Sequence, residues 1–533
     1  MSGRPEQSGS ATNRRRETGD CVVTAMAVRG IRSANPKGDR ILMSVTPPAR
    51  LPSHPFDDDK LREECGVFGV IGMKDAANFV ALGLHALQHR GQEAGGIVSF
   101  DPDAGFNSAR RFGYVRDNFT KTSLMETLPG KLAIGHVRYS TSGSKGQTAI
   151  RDVQPFFGEF AMGGAAIAHN GNITNAEALR RELINSGSIF QSSSDTECII
   201  HLMARSIQRN IPDKIKDALL RVEGAFSIVA MTRSKLIGVR DPLGVRPLVL
   251  GRVGDGYAFS SETCALDIIG AEYLRDVEPG EMVVITEDGI ESYRPFPVSE
   301  PRFCIFEHVY FSRPDSVIGG RSVYETRRQI GVELAREAPV DADLVCPVPD
   351  GGTPAAIGFS QESGIPYGMG ITRNQYVGRT FIEPTEQIRN MGVRLKLNIN
   401  RALVEGKRII LVDDSVVRGT TCRKIREMIL DAGAAEVHLR IASPPTEWPC
   451  FYGVDTPERD KLLAANMTEK EMQLHLGVTS LKFISLDGLY RAAGETSGRN
   501  VLTPQYCDAC FSGEYPVRPA DMIDKGFSLK RSA

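Results

Sequence analysis

The stretch "RIILVDDSVVRGTT" at 408–421 places polar chemistry directly after an apolar run. Residues 409–412 are all β-branched or aliphatic, which predicts a central parallel strand. Asp413 and Asp414 would then lie at the carboxyl end of that strand, where open α/β sheets bind their ligands. Carboxylates there can hold sugar hydroxyls or Mg²⁺, and the N–H groups of a following helix start can hold a phosphate.

Two neighbouring segments extend this pattern. "CPVPDGGTPAAIGFS" at 346–360 predicts a second strand, a tight loop and a helix, and the loop could present amides to a pyrophosphate. The segment at 373–398 carries five cations, including Arg379 and Lys396, against two glutamates. A solvated surface loop is one interpretation. Its position between two phosphate-binding motifs favours a mobile lid that closes over the substrate and excludes water.

An isolated pair of aspartates is more often an acidic turn before a helix cap. The whole string at 408–421, however, resembles the phosphoribosylpyrophosphate (PRPP) signature of type I phosphoribosyltransferases. The resemblance implies PRPP contacts from Asp413, Asp414, Ser415, Val416, Val417, Arg418, Gly419, Thr420, Thr421, Arg379 and Lys396. Many relatives have a Mg²⁺-binding serine after the "VPD" motif, where this chain has Gly351. We therefore expect Asp413 and Asp414 to hold one Mg²⁺ per subunit, with water or Thr353 in the serine's role.

The stretch "LREECGVFGV" at 61–70 sets a cysteine before a second strand-like run. A cut between Glu64 and Cys65 would give Cys65 a free α-amino group, whose usual pKa is about 7.7 to 8.0. That amine can act as the general base for its own thiol. Residues 1–64 are rich in Ser, Arg, Pro and Gly, which predicts a disordered leader or propeptide. A transit peptide and a later start at Met43 are alternatives.

Further motifs follow at 87–97 ("LQHRGQEAGGI"), 133–143 ("AIGHVRYSTSG"), 168–175 ("AHNGNITN") and 192–197 ("SSSDTE"). With Cys65 they resemble the N-terminal-nucleophile glutamine amidotransferases. The resemblance implies that Cys65 is the nucleophile and that Asn170 and Gly171 form the oxyanion hole. It also implies that Arg138 clamps the glutamine carboxylate, that Asp195 pairs with the ammonium, and that Arg90 lies in the site. Cys198 and Cys264 are expected in the core, where free cysteines are often buried.

The order of the two halves, joined by "FEHVYFSRPDS" at 306–316, resembles the amidophosphoribosyltransferase family. The resemblance implies a glutaminase that passes ammonia through a channel to PRPP, which yields 5-phosphoribosylamine, pyrophosphate and glutamate in the first step of purine (IMP) synthesis. The expected fold is α/β and α+β, an N-terminal-nucleophile αββα sandwich followed by a type I phosphoribosyltransferase parallel-sheet domain. The expected divisions are a leader at 1–64, the glutamine amidotransferase at 65–297, the phosphoribosyltransferase at 298–488 and a tail at 489–533.

"CDAC" in the tail places Cys507 and Cys510 at a spacing that suits two ligands of one metal site. Cys304 and Cys450 lie far away in sequence, and core packing would explain either alone. Four cysteines suit zinc as well as an iron–sulfur cluster. One branch of the resembled family binds a 4Fe–4S cluster at these motif positions and also carries a cleaved leader, so the resemblance favours one such cluster per subunit.

Composition excludes several classes of protein. The 533 residues carry 64 Lys and Arg against 65 Asp and Glu, so charge gives no reason to expect nucleic acid as a partner. No apolar run approaches the roughly 18 to 20 residues of a membrane span. Ten scattered cysteines favour reduced thiols, catalysis or metal binding over a disulfide scaffold. The cluster that the resemblance implies favours a cytoplasmic enzyme, although the long leader leaves an organelle open.

Two other functions would use part of these motifs. A glutaminase domain could serve another acceptor, as in a sugar isomerase or an aspartyl-adenylate enzyme, but the PRPP string argues against it. A nucleotide-sensing regulator could keep the phosphoribosyltransferase fold, but would not need Cys65 and its partners. We expect glutamine and PRPP as substrates, purine nucleotides as feedback ligands and a dimeric or tetrameric homo-oligomer.

Overall fold

Two stacked antiparallel sheets form the first part of the chain in the computed structural model, which describes residues 65–139, 150–374 and 396–528. The predicted leader and Arg379 of the predicted lid lie outside these ranges. The strands of the two sheets are β1 Gly66–Ile71, β2 Ala94–Asp101, β3 Gly105–Phe112, β4 Leu132–Arg138, β5 Phe156–Phe160, β6 Gly163–Ile173, β7 Gly224–Met231, β8 Leu236–Arg240, β9 Val249–Val253, β10 Gly256–Ser260, β11 Glu272–Asp276, β12 Met282–Thr286 and β13 Gly289–Tyr293. The first sheet has the order β11-β9-β10-β1-β4-β2-β3, and the second has the order β13-β12-β8-β7-β6-β5.

Side-chain alternation along β1 and β6 separates this part into layers. Val67 and Ile71 of β1 pack between the sheets with Ala166 of β6, whereas Phe68 faces helices on the outer side of the first sheet. Ile167 of β6 packs against helices outside the second sheet. Successive residues of a strand point to opposite faces, so a strand covered on both faces must be apolar throughout. The predicted αββα sandwich is confirmed.

Helices cover both outer faces of the sandwich. Those beside the first sheet are Ala76–Ala86, Val115–Asn118, Thr122–Met125 and Thr263–Ile268. Those beside the second are Ala176–Asn185, Glu197–Arg205 and Ile211–Leu219, and a 3₁₀ turn spans Ile150–Asp152.

A four-stranded parallel sheet organises the second part of the chain. Its strands are β17 Leu344–Pro347, β20 Arg408–Asp413, β21 Glu436–Ile441 and β22 Ser480–Phe483, in the order β17-β20-β21-β22. Ile409 of β20 belongs to an apolar cluster on one face of this sheet, and Ile410 belongs to a cluster on the other. Burial on both faces explains the continuous apolar run read from the sequence.

Short strands and helices complete this part. The strands are β14 Phe303–Cys304, β15 Val317–Ile318, β16 Arg321–Ser322, β18 Ile371–Arg373, β19 Leu397–Ile399 and β23 Tyr506–Cys507. The α-helices are Val323–Glu337, Thr353–Ser363, Arg401–Val404, Thr420–Asp431, Leu463–Asn466, Glu469–Leu476, Leu486–Ala492, Ala509–Ser512 and Ala520–Asp524, with a π-helical turn at Glu307–Phe311 and a 3₁₀ turn at Arg459–Lys461. Among the described residues, no helix has both the length and the apolar character needed to cross a membrane.

Residues 489–528, which belong to the expected C-terminal tail, pack against the core. The expected boundary at 488 falls inside helix Leu486–Ala492, and Phe511 is buried in an apolar cluster that also holds Ala225 of β7. Asp521 accepts hydrogen bonds from the N–H groups of Glu177 and Ala178 (2.7 and 3.2 Å), at the start of helix Ala176–Asn185. Residues 489–528 therefore join the two parts of the molecule.

A buried ion-pair network also joins the sandwich to the parallel-sheet part. The Arg90 guanidinium contacts the carboxylates of Glu262 and Glu307. Arg246 binds Glu307 through Nη1 (3.0 Å) and donates from Nε to the carbonyl oxygen of Tyr452 (2.9 Å). Burial alone would raise the pKa of Glu262 and Glu307, but the arginine charges outweigh it and hold each pKa below its ordinary value. Both carboxylates are therefore charged, as a buried ion pair requires.

Candidate functional site

Cys65 lies immediately before the central strand of the first sheet. It is buried, at 8% exposure, and its φ of +55° lies in the left-handed region that residues other than glycine rarely adopt. Gly66, the first residue of β1, pairs with Val137 of β4. Arg138 follows Val137 at the end of β4, so this sheet brings the predicted nucleophile and the predicted carboxylate clamp to one edge.

Asn170 and Gly171 approach the same edge from the second sheet. The Asn170 side chain is fully buried, and its Nδ2 lies 3.5 Å from Oγ of Ser261. The same Ser261 oxygen accepts a hydrogen bond from the N–H of Val67 (3.0 Å), two residues after Cys65. One hydroxyl therefore ties the predicted oxyanion donor to the strand that follows the predicted nucleophile.

Gly171 is required by its backbone conformation. Its φ is +141°, and an added Cβ would lie 2.0 Å from the carbonyl oxygen of Ala225. Only glycine fits such an approach. The backbone of Gly171 therefore packs directly against Ala225 of β7.

Arg138 and Asp195 supply opposite charges beside this constellation. Arg138 donates from Nη1 to the carbonyl oxygen of Asp152 (2.6 Å), and its buried Nε has no hydrogen-bond partner among the described residues. Asp195 accepts from the N–H of Ile173 (3.0 Å), two residues after Gly171, and keeps 24% of its side chain exposed. A guanidinium and a carboxylate so placed can bind the two charges of an α-amino acid.

Two buried histidines, His136 and His169, lie close to these residues, and no sequence motif marked them as functional. Burial, with the charges of Arg138 and His169, lowers the pKa of His136 to about 3. Burial also lowers the pKa of His169, although the charge of Asp195 opposes the shift. Both imidazoles are thus weak bases, and neither is suited to take a proton from a thiol at neutral pH.

Arg90, predicted to lie in the glutamine site, is held in the buried ion-pair network, and its role in glutamine binding stays a prediction. Its side chain is 1% exposed, and its nitrogens donate to Glu262, Glu307 and Ser312. The guanidinium takes part in the ion-pair network described above. Arg90 lies one turn beyond helix Ala76–Ala86, close in sequence to the site but directed at the junction.

The predicted PRPP residues cluster at the carboxyl end of β20. Asp413 and Asp414 are each 1% exposed, and the N–H of Asp414 donates to Oδ1 of Asp413 (2.9 Å). The Ser415 hydroxyl donates to Oδ1 of Asp414 (2.9 Å). Gly419, with φ +77°, precedes helix Thr420–Asp431 as the predicted phosphate-binding loop requires. This arrangement agrees with the predicted strand, acidic pair, loop and helix.

The side chains of residues 416–421, in the loop after β20 and at the start of the following helix, differ in burial. Val416 and Val417 are buried in apolar clusters on opposite faces of the sheet, so only their backbone can meet a ligand. Arg418 is exposed, whereas Thr420 and Thr421 are partly exposed at the helix start. The loop can therefore offer N–H groups, two hydroxyls and one cation.

The second predicted loop, after β17, packs against the end of β20. A Cβ at Gly352 would lie 2.2 Å from the carbonyl oxygen of Val412, so the close packing of this loop requires glycine. Arg373 of β18 forms an ion pair with Asp350 of the same loop. β18 pairs with β19, and the N–H of Asn374 donates to the carbonyl oxygen of Lys396 (2.8 Å). Both ends of the predicted lid therefore leave a β-stem beside this loop.

Four cysteines meet where the C-terminal segment joins the core. Cys304 of β14 and Cys507 of β23 are register partners in a parallel pair. The carbonyl oxygen of Cys510 accepts hydrogen bonds from the N–H groups of Glu447 and Trp448 (3.0 and 3.1 Å), which places it near Cys450. Burial, with the charges of Cys304, Cys450 and Cys507, raises the pKa of Cys510 well above its usual value. In the part of the chain that the structure describes, no three His, Cys, Asp or Glu side chains are spaced to hold a metal ion as they stand.

The remaining predicted core cysteines behave as expected. Cys198 is fully buried and Cys264 is 4% exposed. Burial raises the pKa of Cys198 to about 12, so this thiol stays protonated at neutral pH and is a poor nucleophile.

Known proteins share both parts of this architecture. Residues 138–267 match a family model described as a glutamine amidotransferase domain. An amidophosphoribosyltransferase of Rhizobium etli is 56% identical over 90% of this chain and 97% of its own length. The chloroplastic amidophosphoribosyltransferase 1 of Arabidopsis thaliana is 48% identical over 87% of this chain and 81% of its own.

A solved structure agrees with these relatives. The glutamine PRPP amidotransferase of Bacillus subtilis, complexed with ADP and GMP, has a TM-score of 0.80 and 44% identity, and the match covers 85% of this chain and 98% of the other. Identity at this level over nearly the whole length of the relatives is decisive. The chain belongs to the amidophosphoribosyltransferase family.

Proposed function

We propose the residues with which this chain carries out the activity of its family, the glutamine-dependent conversion of PRPP to 5-phosphoribosylamine. The observation that carries the assignment is the meeting of Cys65, Asn170, Gly171 and Arg138 at one edge of the sandwich. A second site follows at the end of β20 in the same chain. Neither a glutaminase for another acceptor nor a regulator would need both.

Glutamine would bind with its carboxylate on Arg138 and its ammonium on Asp195. The α-amine of Cys65 takes the proton of its own thiol, and the thiolate attacks the amide carbon. Asn170 Nδ2 and the Gly171 N–H stabilise the resulting oxyanion, each such donor supplying typically about 2.7 to 4 kcal/mol. The α-ammonium then returns its proton to the leaving ammonia, and water hydrolyses the glutamyl thioester to glutamate.

This mechanism requires that the mature chain begin at Cys65. An acylated α-nitrogen could not serve as a base, so the bond to Glu64 must be cut.

In the second reaction, ammonia attacks the anomeric carbon of PRPP and pyrophosphate leaves. Asp413 and Asp414 would bind the ribose hydroxyls and hold Mg²⁺, since buried carboxylate oxygens suit this hard cation. Bound Mg²⁺ would neutralise charge on the pyrophosphate. The backbone of 415–419 with Thr420 and Thr421 would hold the 5-phosphate, and Lys396 with Arg379 would act from the lid.

The four cysteines would supply the donor chemistry of a 4Fe–4S cluster, and two of them, Cys304 and Cys507, are register partners. The cluster's role would be structural, tying 489–528 to the junction. Zinc is the alternative that four thiols also allow. A reducing compartment suits such a cluster, so we propose a cytoplasmic enzyme, or an organellar one like the relatives named chloroplastic.

Regulation and assembly are proposed from the family. The Bacillus subtilis structure contains ADP and GMP, which supports feedback by purine nucleotides here. A dimeric or tetrameric homo-oligomer is proposed from the family resemblance alone.

Replacing the nucleophile should separate the two reactions. Cys65→Ser should lower glutamine-dependent synthesis by at least about 10²-fold, because a hydroxyl is a far weaker nucleophile than a thiolate. Ammonia-dependent synthesis should remain, since it needs only the second site. Cys346→Ser is the matched control, because this buried thiol lies in β17 of the parallel sheet, away from the constellation. A fully active preparation in which mass spectrometry finds Glu64 retained would refute the proposed mechanism.

Neutralising the acidic pair should stop synthesis from either nitrogen source. Asp413→Asn with Asp414→Asn should weaken PRPP binding, measured by isothermal titration calorimetry with Mg²⁺, because the amides keep the shape but lose the charge. The matched control replaces Asp341 and Asp343, which pair with Arg408 at the opposite end of β20. Near-normal PRPP affinity in the 413/414 variant would count against the assignment.

The proposed cluster can be tested by the colour of the protein and by its metal content. Protein purified without oxygen should be brown and contain about four irons per chain, and Cys507→Ser should lower the iron content. Cys346→Ser, at a buried cysteine of the parallel sheet, should leave it unchanged. Colourless protein with stoichiometric zinc would overturn the cluster while leaving both catalytic sites as proposed.

A further inference from the structure

The side-chain amide of Asn170 is imperfectly matched to its surroundings. Its Oδ1 is buried and accepts no hydrogen bond from the described residues. Its Nδ2 points at Oγ of Ser261, 3.5 Å away. In this orientation the Nδ2 donor points at a protein hydroxyl, and the Oδ1 acceptor faces no donor among the described residues.

Ser261 shows the complementary mismatch. A hydroxyl carries one donor and two acceptor lone pairs. Within the described residues, Ser261 Oγ accepts from the N–H of Val67 and from Asn170, and it donates to no acceptor. At this contact, therefore, the hydroxyl proton of Ser261 has no acceptor and Oδ1 of Asn170 has no donor among the described residues.

A half-turn of the Asn170 amide resolves both mismatches, because the oxygen and nitrogen of an amide are nearly equal in size and exchange places. We infer that Ser261 is a positioning residue, whose hydroxyl donates to Asn170 Oδ1 and thereby turns Nδ2 towards the reacting carbonyl. The distance of 3.5 Å is long, as catalytic contacts often are without substrate. The inference rests on the proposed role of Asn170 as oxyanion donor.

The backbone around Ser261 is rigid enough for this task. The Ser261 N–H donates to the carbonyl oxygen of Val67 (3.0 Å). The next residue, Glu262, accepts from Arg90, from His89 Nε2 (2.6 Å), from the Arg313 N–H (2.8 Å) and from the Ser316 hydroxyl (2.7 Å). Ser261 therefore cannot follow Asn170 if the amide turns the wrong way.

Loss of the hydroxyl would let Asn170 present its oxygen to the developing oxyanion. That orientation repels the transition state but leaves ground-state binding by Arg138 and Asp195 intact. The expected signature is a fall in kcat for glutamine hydrolysis with little change in KM. A purely structural defect would not separate the two constants in this way.

The test compares Ser261→Thr with Ser261→Val, which have nearly the same shape and differ in the hydroxyl. The valine variant should have a kcat about 10- to 100-fold below that of the threonine variant, with a KM for glutamine within about twofold, since removing one oxyanion donor outright costs about 10²- to 10³-fold. Ser227→Ala is the matched control. Ser227 is the cross-strand partner of Asn170 and equally buried, but its hydroxyl donates to the carbonyl oxygen of Arg246 (3.0 Å).

Each variant is also made in an Asn170→Ala background. If the inference holds, the threonine and valine variants become equal there, because the amide they orient is gone. Equal kcat in the native background, or the same difference with and without Asn170, would overturn the role of Ser261 alone. Full glutaminase activity of Asn170→Ala by itself would overturn the oxyanion assignment, and the inference with it.

Discussion

The buried network of Arg90, Glu262, Glu307 and Arg246 is the constraint on which the arrangement of the two sites depends. Charges taken out of water are tolerated only when paired with good geometry, and removing one partner typically costs about 3 to 5 kcal/mol. Arg90 and Glu262 belong to the sandwich, whereas Glu307 lies in the π-helical turn that opens the second part. The pairing therefore holds the π-helical turn of the second part against the sandwich.

The same network reaches both the glutaminase site and the cysteines. Glu262 follows Ser261, which contacts Asn170, so the junction and the proposed oxyanion hole share one rigid turn. On the other side, burial raises the pKa of Cys304 to about 12, with Arg246 and Glu307 among the charges that act on it. Contiguous contacts therefore connect the junction with the proposed oxyanion hole and with Cys304.

Much of the architecture could be predicted because burial dictates composition over short distances. Strands covered on both faces, such as β1 and β20, read as continuous apolar runs, and the acidic pair at 413 and 414 marks a strand end. The role of Ser261 could not be read from its neighbours, because its partner Asn170 is 91 residues away. The ion-pair partners of Arg90 could not be predicted for the same reason, since these carboxylates lie 172 and 217 residues along the chain. Likewise, the polar composition of the C-terminal residues gave no sign that a few of them, including Phe511, are buried and pack residues 489–528 against the core.

The central claim is that one chain makes ammonia at Cys65 and uses it at the PRPP site. It is tested most directly by supplying glutamine labelled with ¹⁵N at the side-chain amide, together with Mg²⁺–PRPP and an excess of unlabelled ammonium at a pH where little of it is free ammonia. Glutamate and pyrophosphate should form in equal amounts, and the 5-phosphoribosylamine, trapped chemically, should carry ¹⁵N. Glutamate released without pyrophosphate, or a product that carries only unlabelled nitrogen, would contradict the account.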